Sequence, residues 1–236
     1  MNVTDLTPKG KKALNVWLDG CKAGFLESRE VSAYGLEIGA EVSKERWQKI
    51  VADVILPRGK KKALSLLELQ DRTTKEMHDR LLMADYTEEQ VWDIIAYVVS
   101  FGYIDEHRYA YQYIKNHART KSRREITQAL LLKGVERDLI ESSYERYAEE
   151  STGAEANASA GETGERSRGA SSVEEDAVRR FVAARVKGTE ITQEKRRKVF
   201  GALTRKGFSY AAIRSVLADY RIIDAGDEID AAEGWF

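Results

Sequence analysis

The sequence predicts a mainly helical fold, with three tandem three-helix repeats in an elongated array after a small N-terminal β-hairpin-plus-helix module. Two observations predict this fold. Of the 236 residues, 33% are charged and only two are proline, and apolar side chains recur with helical spacing over long stretches. In addition, one pattern of apolar residues occurs three times in the helical part, which is typical of a repeat protein.

The N-terminal module, residues 1–56, is predicted to contain a β-hairpin. Apolar residues alternate with other residues along positions 13–18, which is the spacing of a strand with one buried face. Asp19-Gly20 then supplies the positive-φ residues of a tight turn, before residues 21–26 return as the second strand.

The same module is predicted to hold two short helices. Ser28 is a possible cap for one that ends near Tyr34, and Ser43 caps another whose apolar residues follow helical spacing. Because Pro57 and Gly59 interrupt helical structure, we expect the module to end there.

Three helical repeats are predicted after the module. Capping boxes, in which a Thr or Ser and a Glu or Gln three residues later bond each other's backbone, begin helices at Thr73, Thr87 and Ser122. Gly102 suits the left-handed residue after a helix end, and Asp105 suits the next N-cap. The predicted repeats cover residues 57–104, 105–147 and 173–220.

The repeat is defined by four apolar positions at steps of four, five and five residues. At the break between the helices, Asp85, Gly134 and Gly207 coincide, and Lys133 and Lys206 precede the two glycines. Any helix-turn-helix places apolar residues at similar steps, but three identical spacings with two Lys-Gly breaks favour a true repeat. The aligned apolar positions are Met77, Leu81, Tyr86 and Val91, then Ile126, Leu130, Val135 and Ile140, and finally Val199, Leu203, Phe208 and Ile213.

Two segments are predicted to lie outside the repeats. Residues 148–172 contain no large apolar side chain and are rich in Ala, Ser, Gly, Thr and Glu, so they cannot bury enough surface to offset the entropy of ordering. We therefore expect a flexible, acidic tether there. Residues 221–236 are expected to form an acidic C-terminal tail.

Composition and motifs argue against several classes of protein. The single Cys21 cannot form an internal disulfide and fits a reducing cytoplasm. No signal peptide is visible, and the longest apolar run, residues 91–104, is too short to span a bilayer. The three histidines lack metal-ligand spacing, and no nucleophile elbow, HExxH motif or complete phosphate loop occurs. We expect a cytoplasmic protein that is not an enzyme and has no cofactor or metal.

The net charge of −1 hides blocks of like charge. Residues 115–124 hold five basic residues and no acid, and residues 177–218 hold eleven basic residues and two acids. Basic side chains that begin a helix oppose its dipole, so we expect the clusters at 121–124 and 195–198 to contact polyphosphate or an acidic partner. The alternative is a solvated face that keeps the protein soluble.

The aromatic residues of the helical part also allow two interpretations. They form a surface on which bases stack, or they pack in the core and between repeats, which is the more usual role of such residues. The residues concerned are Trp92, Tyr97, Tyr109, Tyr111 and Tyr113.

Three motifs, in this order, resemble the RecX regulators of the bacterial recombinase RecA. They are DRTTKEM at 71–77, GYIDEHRYA at 102–110 and KSRREITQALLLKGV at 121–135. Weaker similarity over 3–55 and 173–217 extends the resemblance to nearly all of the chain that we expect to fold. Ser122 stands where the family usually has Gly, and Ala129 where an acidic residue is common. The resemblance implies three tandem three-helix units.

The resemblance also implies a regulatory role in homologous recombination and the SOS response. Such proteins bind the RecA–DNA filament, lie along its helical groove and suppress its ATPase, strand-exchange and coprotease activities, without chemistry of their own. We expect a monomer that contacts the filament and, through its basic clusters, DNA. A DNA-binding helical protein without a RecA role is the second interpretation.

The expected contact residues are basic. Arg72 and Arg108 have a structural alternative, in which they pair with Glu76 or Asp105. The full expected set is Arg72, Arg108, Lys121, Arg123, Arg124, Arg196, Arg197 and Lys198.

Overall fold

The computed structural model describes residues 1–156 and 168–223. A small sheet of three strands is followed by a mainly helical chain, which confirms the predicted fold class. The chain separates into two compact units, Met1–Glu106 and His107–Phe236. The division of the chain into module, repeats, tether and tail stays a prediction.

The N-terminal sheet has one more strand than the sequence predicts. The expected hairpin is present, with β2 (Ala13–Leu18) and β3 (Cys21–Glu27) joined through Asp19 and Gly20 at φ 49° and 83°. A further strand, β1 (Val3–Lys9), pairs antiparallel with β2 at the edge of the sheet. Its polar residues and Pro8 obscure the alternation in the sequence, but both are tolerated in an edge strand.

The helices of the first unit include a long run that passes through the predicted boundary at Pro57. The prediction that Pro57 and Gly59 terminate a helix is wrong, because helical structure continues from Lys44 to Leu69. A π-helical turn at Val51–Ile55 interrupts the regular hydrogen-bond pattern just before Pro57, where a proline ring would otherwise clash with the preceding turn. The helices are α1 (Ser28–Ala33), α2 (Lys44–Ile50), α3 (Leu56–Leu69), α4 (Thr74–Met83) and α5 (Glu88–Ser100).

Gly59 allows close packing between helices. It is buried in α3, and a Cβ built on it would lie 2.2 Å from Cδ1 of Ile94 on α5. No side chain larger than hydrogen fits this contact unless Ile94 moves. A second link ties α5 to the sheet, because the side-chain amide of Gln90 donates to the carbonyl of Ala23 at 2.8 Å. Sheet and helices therefore share one apolar core.

The helix starts agree well with the capping prediction. Ser43 caps α2, and the expected capping boxes are present at Thr73 and Thr87. The exception is α1, whose N-cap is Glu27 instead of Ser28; the Glu27 carboxylate and Glu30 form the reciprocal bonds of a capping box.

The second unit is built from six helices within the described residues. It contains α6 (Glu106–His117), α7 (Arg123–Leu132), α8 (Arg137–Ala156), α9 (Arg168–Ala183), α10 (Gln193–Lys206) and α11 (Tyr210–Ala218). Two three-residue strands, β4 (Glu190–Thr192) and β5 (Arg221–Ile223), pair in parallel before α10 and after α11. This pairing was not predicted, because neither strand is long enough to show alternation.

Helices extend into both ends of the predicted tether, residues 148–172. Helix α8 continues to Ala156 and α9 begins at Arg168, and residues 157–167 lie outside the described part of the chain. Ala and Glu are strong helix formers, so a segment without large apolar residues can still extend a helix. Of the predicted acidic tail, residues 221–223 form β5, and residues 224–236 lie outside the described residues.

The three aligned segments share one turn geometry. All twelve aligned apolar side chains are buried, with at most 5% of their surface exposed. Each break has a residue at positive φ: Asp85 at 75°, Gly134 at 86° and Gly207 at 86°. In each turn, the backbone N–H of the third aligned position donates to the carbonyl of the second over 3.1–3.3 Å. The local repeat seen in the sequence is therefore a repeat of helix-turn-helix geometry.

No helix among the described residues is long and apolar enough to cross a membrane.

Candidate functional site

The eight expected contact residues fall on different parts of the molecule. Arg72 belongs to the first unit, in the loop between α3 and α4, and the other seven belong to the second unit. Among the described residues of that unit, three concave surfaces contain expected residues. Lys121 and Arg123 line the first, Arg124 lines the second, and Arg196 and Arg197 line the third. The neighbours Arg123 and Arg124 therefore contribute to different surfaces.

Arg72 and Arg108 differ in exposure. Arg72 is half-buried, and its Nε donates to the carbonyl of Leu66 at 3.4 Å, which ties the loop to the end of α3. Glu76 accepts the backbone N–H of Thr73 in the capping box. Arg108 is exposed on α6.

The first concave surface is a cavity of about 530 Å³ between α7, α8 and the start of α9. The Lys121 ammonium lies 5.7 Å from the centre of the Tyr113 ring. The Arg123 guanidinium lies 4.5 Å from the centre of the Tyr144 ring and forms an ion pair with Glu141. These contacts hold both cations against aromatic faces, where part of their charge is already engaged.

Tyr144 is a half-buried wall of this cavity. Burial raises the pKa of its hydroxyl to about 12, so the group stays protonated at neutral pH and donates to the Arg123 carbonyl at 3.3 Å. The rim also carries the carboxylates of Glu141, Glu145 and Glu174. Acids and bases are therefore mixed in this cavity.

The second concave surface is a groove of about 470 Å³ between α7, α9 and α10, which we call the basic groove. Its cations are Arg124, Arg185, Arg205 and Lys206, and Glu125 is the one carboxylate in its lining. Sequence analysis found only Arg124, because the other cations come from segments more than 60 residues further along the chain. The remaining lining residues are Gln128, Phe181 and Ala202.

One edge of the basic groove is held by specific contacts between α7 and α10. The ammonium of Lys206 pairs with Glu125 at 2.9 Å, and the Ser122 hydroxyl donates to the Lys206 carbonyl at 2.6 Å. Burial opposes ionisation of Glu125, but the hydrogen bonds from Lys206 and from the Ser122 backbone outweigh it and lower the pKa of this carboxyl group. The stem of Arg124 lies against Gly207, where an added Cβ would be 2.7 Å from Cδ of Arg124.

The third concave surface lies on α10, where the expected cluster is displaced from the helix start. Thr192 caps α10, so Arg196 and Arg197 lie one turn inside the helix, whereas Arg123 and Arg124 are the first two residues of α7. The expectation that both clusters begin a helix therefore holds for Arg123 and Arg124 but not for Arg196 and Arg197. Lys198 forms an exposed i,i+4 ion pair with Glu194 at 2.6 Å, which contributes little to stability.

The aromatic residues are divided between core and surface. Tyr111 is buried, and Tyr109 and Tyr113 pack against the core of the second unit, in agreement with the packing interpretation. Trp92 is 50% exposed in the first unit, where its indole N–H donates to Glu88 at 3.2 Å. Among the described residues, no group of three or more His, Cys, Asp and Glu side chains is placed to hold a metal ion.

Comparison with known proteins gives consistent matches. The family model described as RecX, second three-helix domain, matches residues 105–143, which include Arg108, Lys121, Arg123 and Arg124. The regulatory protein RecX of Clostridium beijerinckii is 25% identical over 141 residues, which are 60% of this chain and 66% of the relative. That of Clostridium tetani is 20% identical over 217 residues, which are 90% of each chain. In several relatives, as in the first, the match spans just under two thirds of the relative's length.

Two solved structures share the fold. A crystal structure of a regulatory protein RecX aligns with a TM-score of 0.55 and 21% identity, and the alignment covers 92% of this chain and 98% of that one. The crystal structure of RecX from Lactobacillus salivarius aligns with a TM-score of 0.50 and 21% identity, over 70% of this chain and 95% of that one.

Proposed function

Since the chain belongs to the RecX family, we propose that it is a non-enzymatic regulatory protein that binds RecA and RecA–DNA filaments and lowers their recombinase, ATPase and coprotease activities. The match of residues 105–143 to the second three-helix domain of RecX carries this proposal. In this role the protein acts in the bacterial cytoplasm, in homologous recombination and the SOS response, as a monomer without a cofactor.

The distribution of charge supports a partner that is large and anionic. Exposed cations occur on α7 and α10 and around the basic groove, at separate places on the second unit. A filament presents the same protein and phosphate groups many times, so several weak contacts can act together. Binding of this kind is expected to weaken steeply as salt is added.

We assign contact with the filament to the eight expected residues. Lys121, Arg123 and Arg124 are placed at the centre of this contact surface. The structure makes these three suitable for a charge test. The Arg123 ion pair with Glu141 is exposed, so its loss costs less than about 1 kcal/mol. A methionine at position 124 keeps the apolar stem that packs on Gly207 and removes only the charge.

Co-sedimentation with preformed filaments tests the proposal. RecA is assembled on single-stranded DNA with a non-hydrolysable ATP analogue, and capture of the chain is compared with capture by the same DNA alone. We expect strong capture by filaments and weak capture by bare DNA. The triple variant Lys121→Gln/Arg123→Gln/Arg124→Met is expected to lose filament capture while its melting temperature stays within a few degrees of that of the wild type.

A matched control removes three exposed cations elsewhere in the second unit, in the variant Lys187→Gln/Arg214→Gln/Arg221→Gln. This control is expected to keep most filament capture. Equal losses in both variants would show that only total charge matters. A large loss of stability in the first variant would show that its cluster is structural.

The basic groove favours a second candidate function, that of a DNA-binding helical protein without a RecA-specific role. Its four cations are suited to phosphate groups. Capture by bare DNA as strong as capture by filaments would support this candidate over the first.

A further inference from the structure

We propose that the basic groove is a binding site for the phosphodiester backbone of a nucleic-acid strand, with Arg185 and Arg205 as its principal ligands. Neither arginine belongs to the contact set expected from the sequence, and the matched RecX domain model ends at residue 143. The inference deepens the proposed function, on which its biological context rests, but the oligo(dT) titration that tests it contains no recombinase.

Most of the positive charge in the groove is not neutralised by the protein. Lys206 pairs with Glu125, whereas Arg124, Arg185 and Arg205 form no ion pair within residues 1–156 and 168–223. Three guanidinium groups therefore share one concave surface and repel each other. Such an arrangement costs stability unless an anion occupies the groove.

Helix stability explains only part of this arrangement. Arg205 and Lys206 lie in the last turn of α10, where the helix dipole favours cations. Arg124 lies in the first turn of α7, where the dipole opposes a cation. Its stem packs on Gly207, but that contact requires only the methylene groups and not the charge.

Arg185 is held in a defined position. Its guanidinium lies 3.6 Å from the centre of the Phe181 ring, and Nη1 donates to the Phe181 carbonyl at 3.1 Å. A guanidinium held in this way loses little entropy when it binds, and its remaining N–H groups match the geometry of phosphate oxygens.

The lining favours phosphate over an acidic protein. Protein interfaces depend on apolar or aromatic anchors that bury against the partner. The single aromatic ring in this lining, that of Phe181, is covered by Arg185 and has the Lys206 ammonium 5.9 Å from its centre. A phosphodiester strand needs no apolar anchor, because its binding is dominated by charge.

The groove also depends on the contact between two distant segments. Arg124 comes from α7, Arg185 follows α9, and Arg205 belongs to α10. The Ser122–Lys206 hydrogen bond and the Lys206–Glu125 ion pair hold these elements together. We infer that the site exists only when residues 168–223 are docked on α7.

Titration of fluorescein-labelled oligo(dT) with the full chain tests the site. The variant Arg185→Gln/Arg205→Gln is compared with Lys187→Gln/Arg214→Gln, which removes the same charge at exposed positions outside the groove. At low salt, we expect the groove variant to bind at least fivefold more weakly than the control. The slope of log K against log salt should fall by about 1.4, since each phosphate contact with a single strand contributes about 0.7.

Two results would overturn the assignment. In the first, the groove variant and the control bind oligo(dT) equally well. In the second, the groove variant keeps its affinity for oligo(dT) and loses only capture by RecA filaments, which would make the groove a protein contact. If the chain binds oligo(dT) through the groove but has no effect on RecA, the proposed function fails and this inference stands.

Discussion

The hydroxyl of Ser122 donates a hydrogen bond of 2.6 Å to the backbone carbonyl of Lys206, 84 residues further along the chain. The same oxygen accepts a hydrogen bond from the backbone N–H of Glu125 at 3.2 Å, so the residue that caps α7 also bonds to the last residue of α10. Ser122 is completely buried. One side chain therefore stabilises a helix start and the junction that builds the basic groove.

Replacement of Ser122 is expected to destabilise the second unit by about 2 kcal/mol. Loss of an N-cap costs about 1 kcal/mol, and leaving the partly buried Lys206 carbonyl unpaired costs roughly another 1 kcal/mol or more. Urea denaturation of Ser122→Ala, followed by far-UV circular dichroism, measures the change.

The control for this prediction is Ser142→Ala. Ser142 is exposed on α8, and its hydroxyl donates only to the Leu139 carbonyl of the same helix. We expect a change within about 0.5 kcal/mol for this variant. If the two variants unfold at the same urea concentration, the junction through Ser122 has no energetic importance.

Glycine-to-alanine substitution is expected to have opposite effects in two helices. At Gly201 on α10, the nearest contact of an added Cβ is 3.7 Å away, at the Arg205 guanidinium, so Gly201→Ala should stabilise by about 0.5–1 kcal/mol through helix propensity. At Gly59, the contact of 2.2 Å with Ile94 should outweigh propensity, and we expect destabilisation by about 1–3 kcal/mol.

Thermal and urea denaturation of both glycine variants measure the change in the free energy of unfolding. Gly59→Ala is also made in the Ile94→Val variant. Valine lacks the Cδ1 atom that an alanine at position 59 would meet, so Gly59→Ala should cost less there than in the wild type. An equal cost in both backgrounds would argue against the contact between α3 and α5 as the cause.

The pair of His78 and Glu88 is expected to make stability depend on pH. The His78 ring lies in hydrogen-bond contact with the Glu88 carboxylate at 2.7 Å, which raises the pKa of His78 above 6.5 against the effect of burial, and Asp79 at 3.6 Å adds to the rise. The same hydrogen bond lowers the pKa of Glu88 below 4.5. A raised histidine pKa gives stability that is complete below pH 6.5 and is lost as pH rises through the folded-state value.

Glu88 makes stability change with pH in the opposite direction. Stability from a lowered carboxyl pKa is complete above pH 4.5 and is lost as pH falls through the folded-state value. The pair should therefore stabilise most between about pH 4.5 and 6.5. NMR titration of the His78 ring should show a pKa that falls when Glu88→Gln is introduced. An unchanged titration curve in that variant would contradict the account.

Local features could be predicted from the sequence because neighbouring residues determine them. The Ser and Thr caps at positions 43, 73, 87 and 122 hold a backbone N–H three residues away, and any chain segment with that pattern can form the bond. The turn residues at 85, 134 and 207 likewise need only positive φ. The repeated steps of four, five and five residues then mark which side chains are buried.

Features that depend on distant residues could not be predicted. The edge strand Val3–Lys9 exists because β2 offers it a partner, and Pro57 is tolerated because a π-helical turn precedes it. Gly59 is predicted to break a helix, because the sequence gives no sign that Ile94 lies against it. In the basic groove, Arg124 and Arg205 meet only after α10 docks on α7. Sequence reasoning therefore found the basic helices but not the surface that they form.

The most direct test of the central claim is the rate of ATP hydrolysis by RecA filaments. Filaments are formed on single-stranded DNA with ATP, and the chain is added at less than one molecule per ten RecA subunits. The account predicts a substantial fall in hydrolysis at this ratio, and a much smaller fall with Lys121→Gln/Arg123→Gln/Arg124→Met. Hydrolysis that stays unchanged until the chain is in excess over free DNA sites would contradict a role as a RecA regulator.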